Sequence, residues 1–150
     1  MEEKYLHFQI EGISFAVSIG AIQEIVPMPK LTKIPDNNAL LGVANVRGQI
    51  VPVIDFKEIF QLCKTEQPQK LLILDSGSVF GIPVDTIVGI VVADQQDIDK
   101  PLALSLFFSD EKVAGVLKKN DRLIVVLDVE KINKNINNKT KEETKHANSI

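Results

Sequence analysis

The sequence predicts an all-β protein, two small five-stranded barrels side by side, and three observations carry that expectation. Apolar and polar residues alternate over short stretches such as Leu6-His7-Phe8-Gln9-Ile10, the period-two signature of half-buried strands. Turn signals punctuate these stretches at Glu11-Gly12, Pro27 with Pro29, and Arg47-Gly48. The pattern then returns. Phe15 and Phe80 lie 80 − 15 = 65 positions apart, and at that offset Leu6 meets Leu71, Phe8 meets Ile73, Val17 meets Ile82 and Ile22 meets Ile87. Such self-similarity marks an internal duplication. Five short strands per half suit a barrel, whose closure removes exposed edges.

Taken in order, Leu6–Ile10 and Ile13–Val17 read as a hairpin across Glu11-Gly12. Ser18 to Ile22 fits one helical turn with Ser18 as its cap. Gln23–Val26 reads as a third strand, stopped by Pro27 and Pro29. Leu41–Val46 and Gln49–Ile54 flank the Arg47-Gly48 turn, and Asp55 is placed to cap a short helix over Phe56–Leu62. Polar residues 63–69 form a connector. In the second half the offset changes to 115 − 42 = 73, so that Gly42-Val43 meets Gly115-Val116 and Ile50–Asp55 meets Leu123–Asp128. The extra residues fall between Asp94 and Lys112. The expected organisation is a single domain over 1–132, with barrels over about 5–62 and 70–132, and a polar tail, 133–150, expected to be disordered.

Composition narrows the function. Net charge is −3 over 150 residues, which argues against a nucleic-acid partner, since phosphate binders carry a basic face. One cysteine, Cys63, cannot form an internal disulfide and fits a reducing cytoplasm. The chain shows no secretory signal pattern, and its longest apolar runs, such as Val88–Ala93, fall far short of a bilayer span. Direct membrane insertion is therefore not expected.

Residues shared by both halves are explained by the barrel, whereas those present in one half only are better candidates for function. Asn45 and Arg47 stand where the second half has Lys118 and Asn120; Glu24 faces Gly89; Pro52 faces Val125. Taken alone, Arg47 reads as a solvated turn residue, Asn45 as bonding its local backbone, Glu24 as a solvated strand residue and Pro52 as protection of a sheet edge. The stretch Gly42-Val43-Ala44-Asn45-Val46-Arg47-Gly48-Gln49-Ile50-Val51-Pro52-Val53-Ile54-Asp55, preceded by Phe15-Ala16-Val17, Ile22-Gln23-Glu24-Ile25 and Ile34-Pro35, resembles the CheW family of chemotaxis coupling proteins in order and spacing. Phe80-Gly81-Ile82-Pro83-Val84-Asp85 and Val113 to Asp128 are similar too, so the resemblance covers about Tyr5 to Ile132.

The resemblance implies two tandem SH3-like barrels around a shared hydrophobic core, with short helical segments. It implies a cytoplasmic adaptor, recruited to membrane-bound receptor arrays, that binds the cytoplasmic tip of chemoreceptors and the regulatory domain of a CheA-type histidine kinase. Carried over by position, Ile22 would line a receptor-binding groove between the barrels, with Glu24, Asn45 and Arg47 at its rim, and Leu31 and Ile50 would face the kinase. Because Met1 leads almost at once into the first strand and no folded segment is expected after Ile132, the free-standing adaptor is expected rather than a fused domain. One departure is Gly89, where family members often carry an acidic residue. The segment 97–109, with Phe107-Phe108, is poorly matched and reads either as a contact loop or as an aromatic tucked into the core.

No enzyme is expected, and no catalytic residue, metal or cofactor is assigned. Gly42 to Gly48 lacks the spacing and the Lys-Ser/Thr end of a phosphate loop. Cys63 has no histidine placed to activate it, and His7 alternates onto the polar side of its strand. Asp55, Asp85 and Asp128 stand at strand ends, where capping or turn roles suffice. Two other functions stay open: a CheW-like adaptor of a related pathway such as pilus-driven motility, and a small β-barrel enzyme or ligand-binding protein, which would show a closed polar pocket with convergent titratable groups.

Overall fold

The computed structural model describes residues 2–35, 39–56, 68–100, 112–134 and 136. Eleven strands form among these residues: β1 (Glu2–Ile10), β2 (Ile13–Ser18), β3 (Ile22–Pro27), β4 (Leu40–Val46), β5 (Gln49–Ile54), β6 (Lys70–Asp75), β7 (Val79–Val84), β8 (Thr86–Asp94), β9 (Ile98–Asp99), β10 (Val113–Lys119) and β11 (Arg122–Leu127). A helix occupies residues 129–134. The hairpin turns β1–β2, β4–β5 and β10–β11 place both central residues at positive φ: Glu11 and Gly12, Arg47 and Gly48, Asn120 and Asp121. That is the two-residue geometry whose twist matches paired strands.

The strands form two sheets, ordered β8-β1-β2-β11-β10-β9 and β3-β6-β7-β5-β4. Under the duplication β6, β7 and β8 are the counterparts of β1, β2 and β3, and β10 and β11 those of β4 and β5. Each sheet therefore takes its opening hairpin from the other half of the sequence. The parallel contacts repeat as well, Ala16 opposite Val126 in one sheet and Gly81 opposite Val53 in the other. Two SH3-like barrels result, one around β4–β5 and one around β10–β11, but neither is a contiguous stretch. The expected division at a connector near residues 63–69 does not match the hydrogen-bonded sheets, because the hairpin spanning residues 2–18 belongs with β8, β10 and β11.

Three apolar clusters follow from strand alternation. Leu6, Phe8, Phe15, Val17, Ile54, Leu72, Leu74, Phe80, Ile82 and Val125 meet between the barrels. Phe15 packs on Phe8 and, edge to face, on Phe56, with centroids 6.0 and 5.0 Å away. Tyr5, Ala16, Leu117, Ile124 and Val126 fill the β10–β11 barrel. Ala44, Val51, Val53, Leu71 and Ile73 fill the β4–β5 barrel. Burying one such large side chain contributes about 1.5–3 kcal/mol, so the shared cluster is a principal reason the barrels cohere.

Gly42 and Gly115 are required at equivalent places. A Cβ on Gly42 would lie 2.4 Å from the Thr32 carbonyl oxygen, and one on Gly115 would lie 2.5 Å from that of Asp99. Both glycines let an extra strand segment approach, Thr32 bridging Val43 and β9 pairing with β10.

Several expectations change. Leu6 and Phe8 share the central cluster with Leu72 and Leu74, whereas Leu71 and Ile73 turn into a barrel, so the first strands are related one residue out of the expected register. The cause is the second hairpin loop, Ser76-Gly77-Ser78, one residue longer than Glu11-Gly12. Ser18 precedes the expected helical turn, a 3-10 turn over Ile19–Ala21, but makes no side-chain cap bond. Pro52 is not at an edge; β5 lies between β7 and β4 and pairs with β7 only at Val53. His7 is 5% exposed rather than on a solvated side. Asn133 and Ile136 are buried, so packed chain continues past the expected boundary at 132. Asn133 Nδ2 donates to Ser76 Oγ and Ser78 Oγ at 2.9 and 2.7 Å, fastening the helix to the second hairpin. Most of the expected helix 56–62, most of the connector, with Cys63, and Phe107-Phe108 and the tail from 137 lie outside the described residues.

Candidate protein-contact surface

Glu24 and Val26 share one side of β3 by alternation, and Val26 packs on the interior of the β4–β5 barrel. Glu24 therefore stands at the mouth of that barrel. Arg47, at the tip of the β4–β5 turn, reaches it and forms an ion pair through Nη2 and Oε2. Since β3 and β4 are the two outer strands of their sheet, this pair joins the edges across the barrel mouth. The other carboxylate oxygen, Oε1, is out of water and without a hydrogen-bond partner. Beside the pair, Gln23 Nε2 donates to Gln49 Oε1 at 2.9 Å.

The other sequence-derived residues divide. Asn45 Oδ1 accepts the Gly48 N–H at 2.9 Å, so Asn45 shapes the turn that carries Arg47. Ile22 opens β3 opposite Leu74, half-buried against the cluster between the barrels. Leu31 packs half-buried on the β4–β5 interior, whereas Ile50 is 61% exposed. Glu24, Arg47 and Asn45 are thus brought together on one rim, while Leu31 and Ile50 differ in exposure.

The β10–β11 barrel presents another set at its corresponding mouth. His7 lies opposite Gly89 on paired strands, and its Nε2 meets Ser14 Oγ at 2.8 Å. Burial, and secondarily the Arg122 charge, hold the imidazole below its ordinary pKa. Deeper in, burial and a hydrogen bond to Glu3 push the Tyr5 hydroxyl up to about 12. The outer side of β8 carries Val88, Ile90 and Val92, all exposed, and on β11 Leu123 is 64% exposed. Sequence reading missed this surface because β8 is apolar on both sides, with Ile87 and Val91 inward, so alternation carried no signal there. The equivalence of Leu123 with exposed Ile50 is the one clue the duplication held.

Asp128 Oδ1 accepts the Lys131 N–H at the helix start, a capping role as expected, whereas Asp85 Oδ2 accepts the Glu11 N–H at 2.7 Å and so ties the end of β7 to the distant β1–β2 turn rather than shaping a turn of its own. No helix among the described residues is long and apolar enough to cross a membrane.

Two barrels on one shared core, with an ion-paired mouth and exposed apolar residues as their prominent outer features, define a twin-barrel domain with candidate protein-contact surfaces. The family model for the CheW-like domain matches residues 4–136. The chemotaxis protein CheW of Helicobacter pylori is 32% identical over 134 residues, covering 86% of this chain and 80% of that one. That of Thermotoga maritima is 28% identical over 134 residues, covering 87% of each. Among solved structures, the scaffolding protein TtCheW from Thermoanaerobacter tengcongensis superposes with a TM-score of 0.78 at 26% identity, covering 86% of both chains. The chain belongs to the CheW family, whose members are scaffolds of chemotaxis signalling and not enzymes.

Proposed function

We propose that this protein couples chemoreceptors to a CheA-type histidine kinase by binding both non-covalently, at receptor arrays on the cytoplasmic side of the membrane. The observation that carries the reading is the Glu24–Arg47 pair at the β4–β5 mouth, which the other barrel does not repeat. Among the described residues the β10–β11 barrel closes without such a pair, so this architecture does not by itself require one. Ile22, at the seam between the barrels, and Glu24 with Arg47 form the receptor side, with Asn45 holding the turn. Ile50 is the exposed apolar anchor of the kinase side, and Leu31 supports it from within. An apolar anchor beside a few charges that set register is a common contact design.

Calorimetric titration of the full chain with the receptor-tip fragment and, separately, with the kinase regulatory domain tests this. Binding to both is expected, with receptor binding weakened in Arg47→Ala and kinase binding weakened in Ile50→Asp. Absence of binding to either partner overturns the reading.

A further inference from the structure

The side-chain amide of Asn133 crosses from one sheet to the other. The helix that carries it follows β11, in the sheet β8-β1-β2-β11-β10-β9, whereas the turn it reaches joins β6 and β7 of the sheet β3-β6-β7-β5-β4. Asn133 is buried. Its Nδ2 has three acceptors in that turn: Ser76 Oγ at 2.9 Å, Ser78 Oγ at 2.7 Å and the Ser78 carbonyl at 3.1 Å. An amide nitrogen has two hydrogens to give, so the donor side of Asn133 is fully engaged. The turn is itself held in shape, Asp75 Oδ1 accepting the Gly77 N–H at 3.0 Å. The first half of the sequence carries neither side of this bridge. At the second offset Asn133 falls on Phe60, 133 − 73 = 60, and the Glu11-Gly12 turn is one residue shorter and has no hydroxyl. The bridge ends beside Ile22. Leu74, opposite Ile22 in register, lies two residues before Ser76. Ile132, next to Asn133, is buried in the central cluster on which Ile22 packs. Ala21, Ser76, Val129 and Glu130 line one cleft, so the neighbour of Ile22, one anchor of the bridge and the helix start border the same open space.

We propose that Asn133 is a positioning residue for receptor binding: its bonds to Ser76 and Ser78 fix how the barrels sit at the seam, and so how Ile22 is presented to the receptor tip. Asn133 touches no partner itself. Apolar contacts in the shared cluster are non-directional and hold the barrels together without fixing one setting. Three acceptors at fixed places, met by one buried amide, select a single setting. The kinase side is independent of this bridge, because Ile50 is exposed on β5 and belongs to none of the three apolar clusters. The inference rests on the adaptor reading, which puts the receptor tip at Ile22.

The test is calorimetric titration of full-length wild type and Asn133→Ala with the receptor-tip fragment and with the kinase regulatory domain, at a temperature where both chains are folded by circular dichroism. Asn133→Ala is expected to weaken receptor binding about fivefold and to leave kinase binding within about twofold of wild type. Ser76→Ala with Ser78→Ala reproduces most of that loss, and adding Asn133→Ala to the pair costs less than Asn133→Ala alone. In the free protein the Ile22 methyl resonance moves in Asn133→Ala and the Ile50 methyl resonance does not. Should Asn133→Ala fail to fold, the serine pair, which removes the same bonds from the turn, decides by the same readouts. Receptor affinity unchanged, while Arg47→Ala still weakens it, would overturn this inference and leave the adaptor reading standing. Equal loss toward both partners would make Asn133 a support of the fold alone and also overturn it. Wild type binding neither partner would sink both.

Discussion

Glu24 and Arg47 are 23 positions apart and join the two outer strands of one sheet across the mouth of a barrel. Arg47 is 73% exposed, so water screens the pair and its share of stability is small, under about 1 kcal/mol. Arg47→Ala is therefore expected to shift the melting temperature by less than about 5 °C while weakening receptor-tip binding. A large drop in melting temperature with unchanged affinity would make the pair a structural clasp.

Asn45 behaves differently. Its Oδ1 is committed to the Gly48 N–H, and Asn45→Ala removes that acceptor at a cost of about 1 kcal/mol. Thermal unfolding should register the loss, and Asn45→Asp, which keeps the acceptor, should recover most of it. Any effect on binding then follows from a loosened Arg47.

His7 makes stability depend on pH. Its pKa in the folded protein lies below the ordinary 6.5. Above that value the ring is neutral in both states and contributes no pH dependence. As pH falls through 6.5, the unfolded chain takes up the proton first, so stability drops until the folded ring also protonates. Chemical denaturation at a series of pH values should show this slope, and His7→Gln should flatten it. An unchanged slope would place its origin elsewhere.

The exchanged hairpins predict which parts open together. Native-state hydrogen exchange should show the amides of residues 2–18 losing protection with β8, β10 and β11, to which they are bonded. Opening of residues 2–18 as one block with β3, β4 and β5 would contradict the topology.

Much of this was legible in the sequence. Alternation located nearly all the strands, and the Gly turns located the hairpins, because both are local. The repeat of Phe15 at Phe80 revealed the duplication. The exchange of hairpins was hidden, since alternation tells which side of a strand is buried and not which strand it pairs with. In Leu71-Leu72-Ile73-Leu74 every residue is buried, so that run could not fix its own register. His7 was misplaced because a polar residue facing inward breaks the pattern that alternation relies on. At the rim, comparing the halves singled out Glu24 and Arg47, yet their contact joins strands distant in sequence. The apolar side of β8 was masked by the apolar side behind it.

The central claim is that one molecule holds receptor and kinase at once. The most direct measurement is titration of the receptor-tip fragment into this protein already saturated with the kinase regulatory domain. The account predicts a ternary complex with one copy of this chain, formed with receptor affinity within a few-fold of that of the free protein. Displacement of the kinase domain by the receptor tip would contradict it.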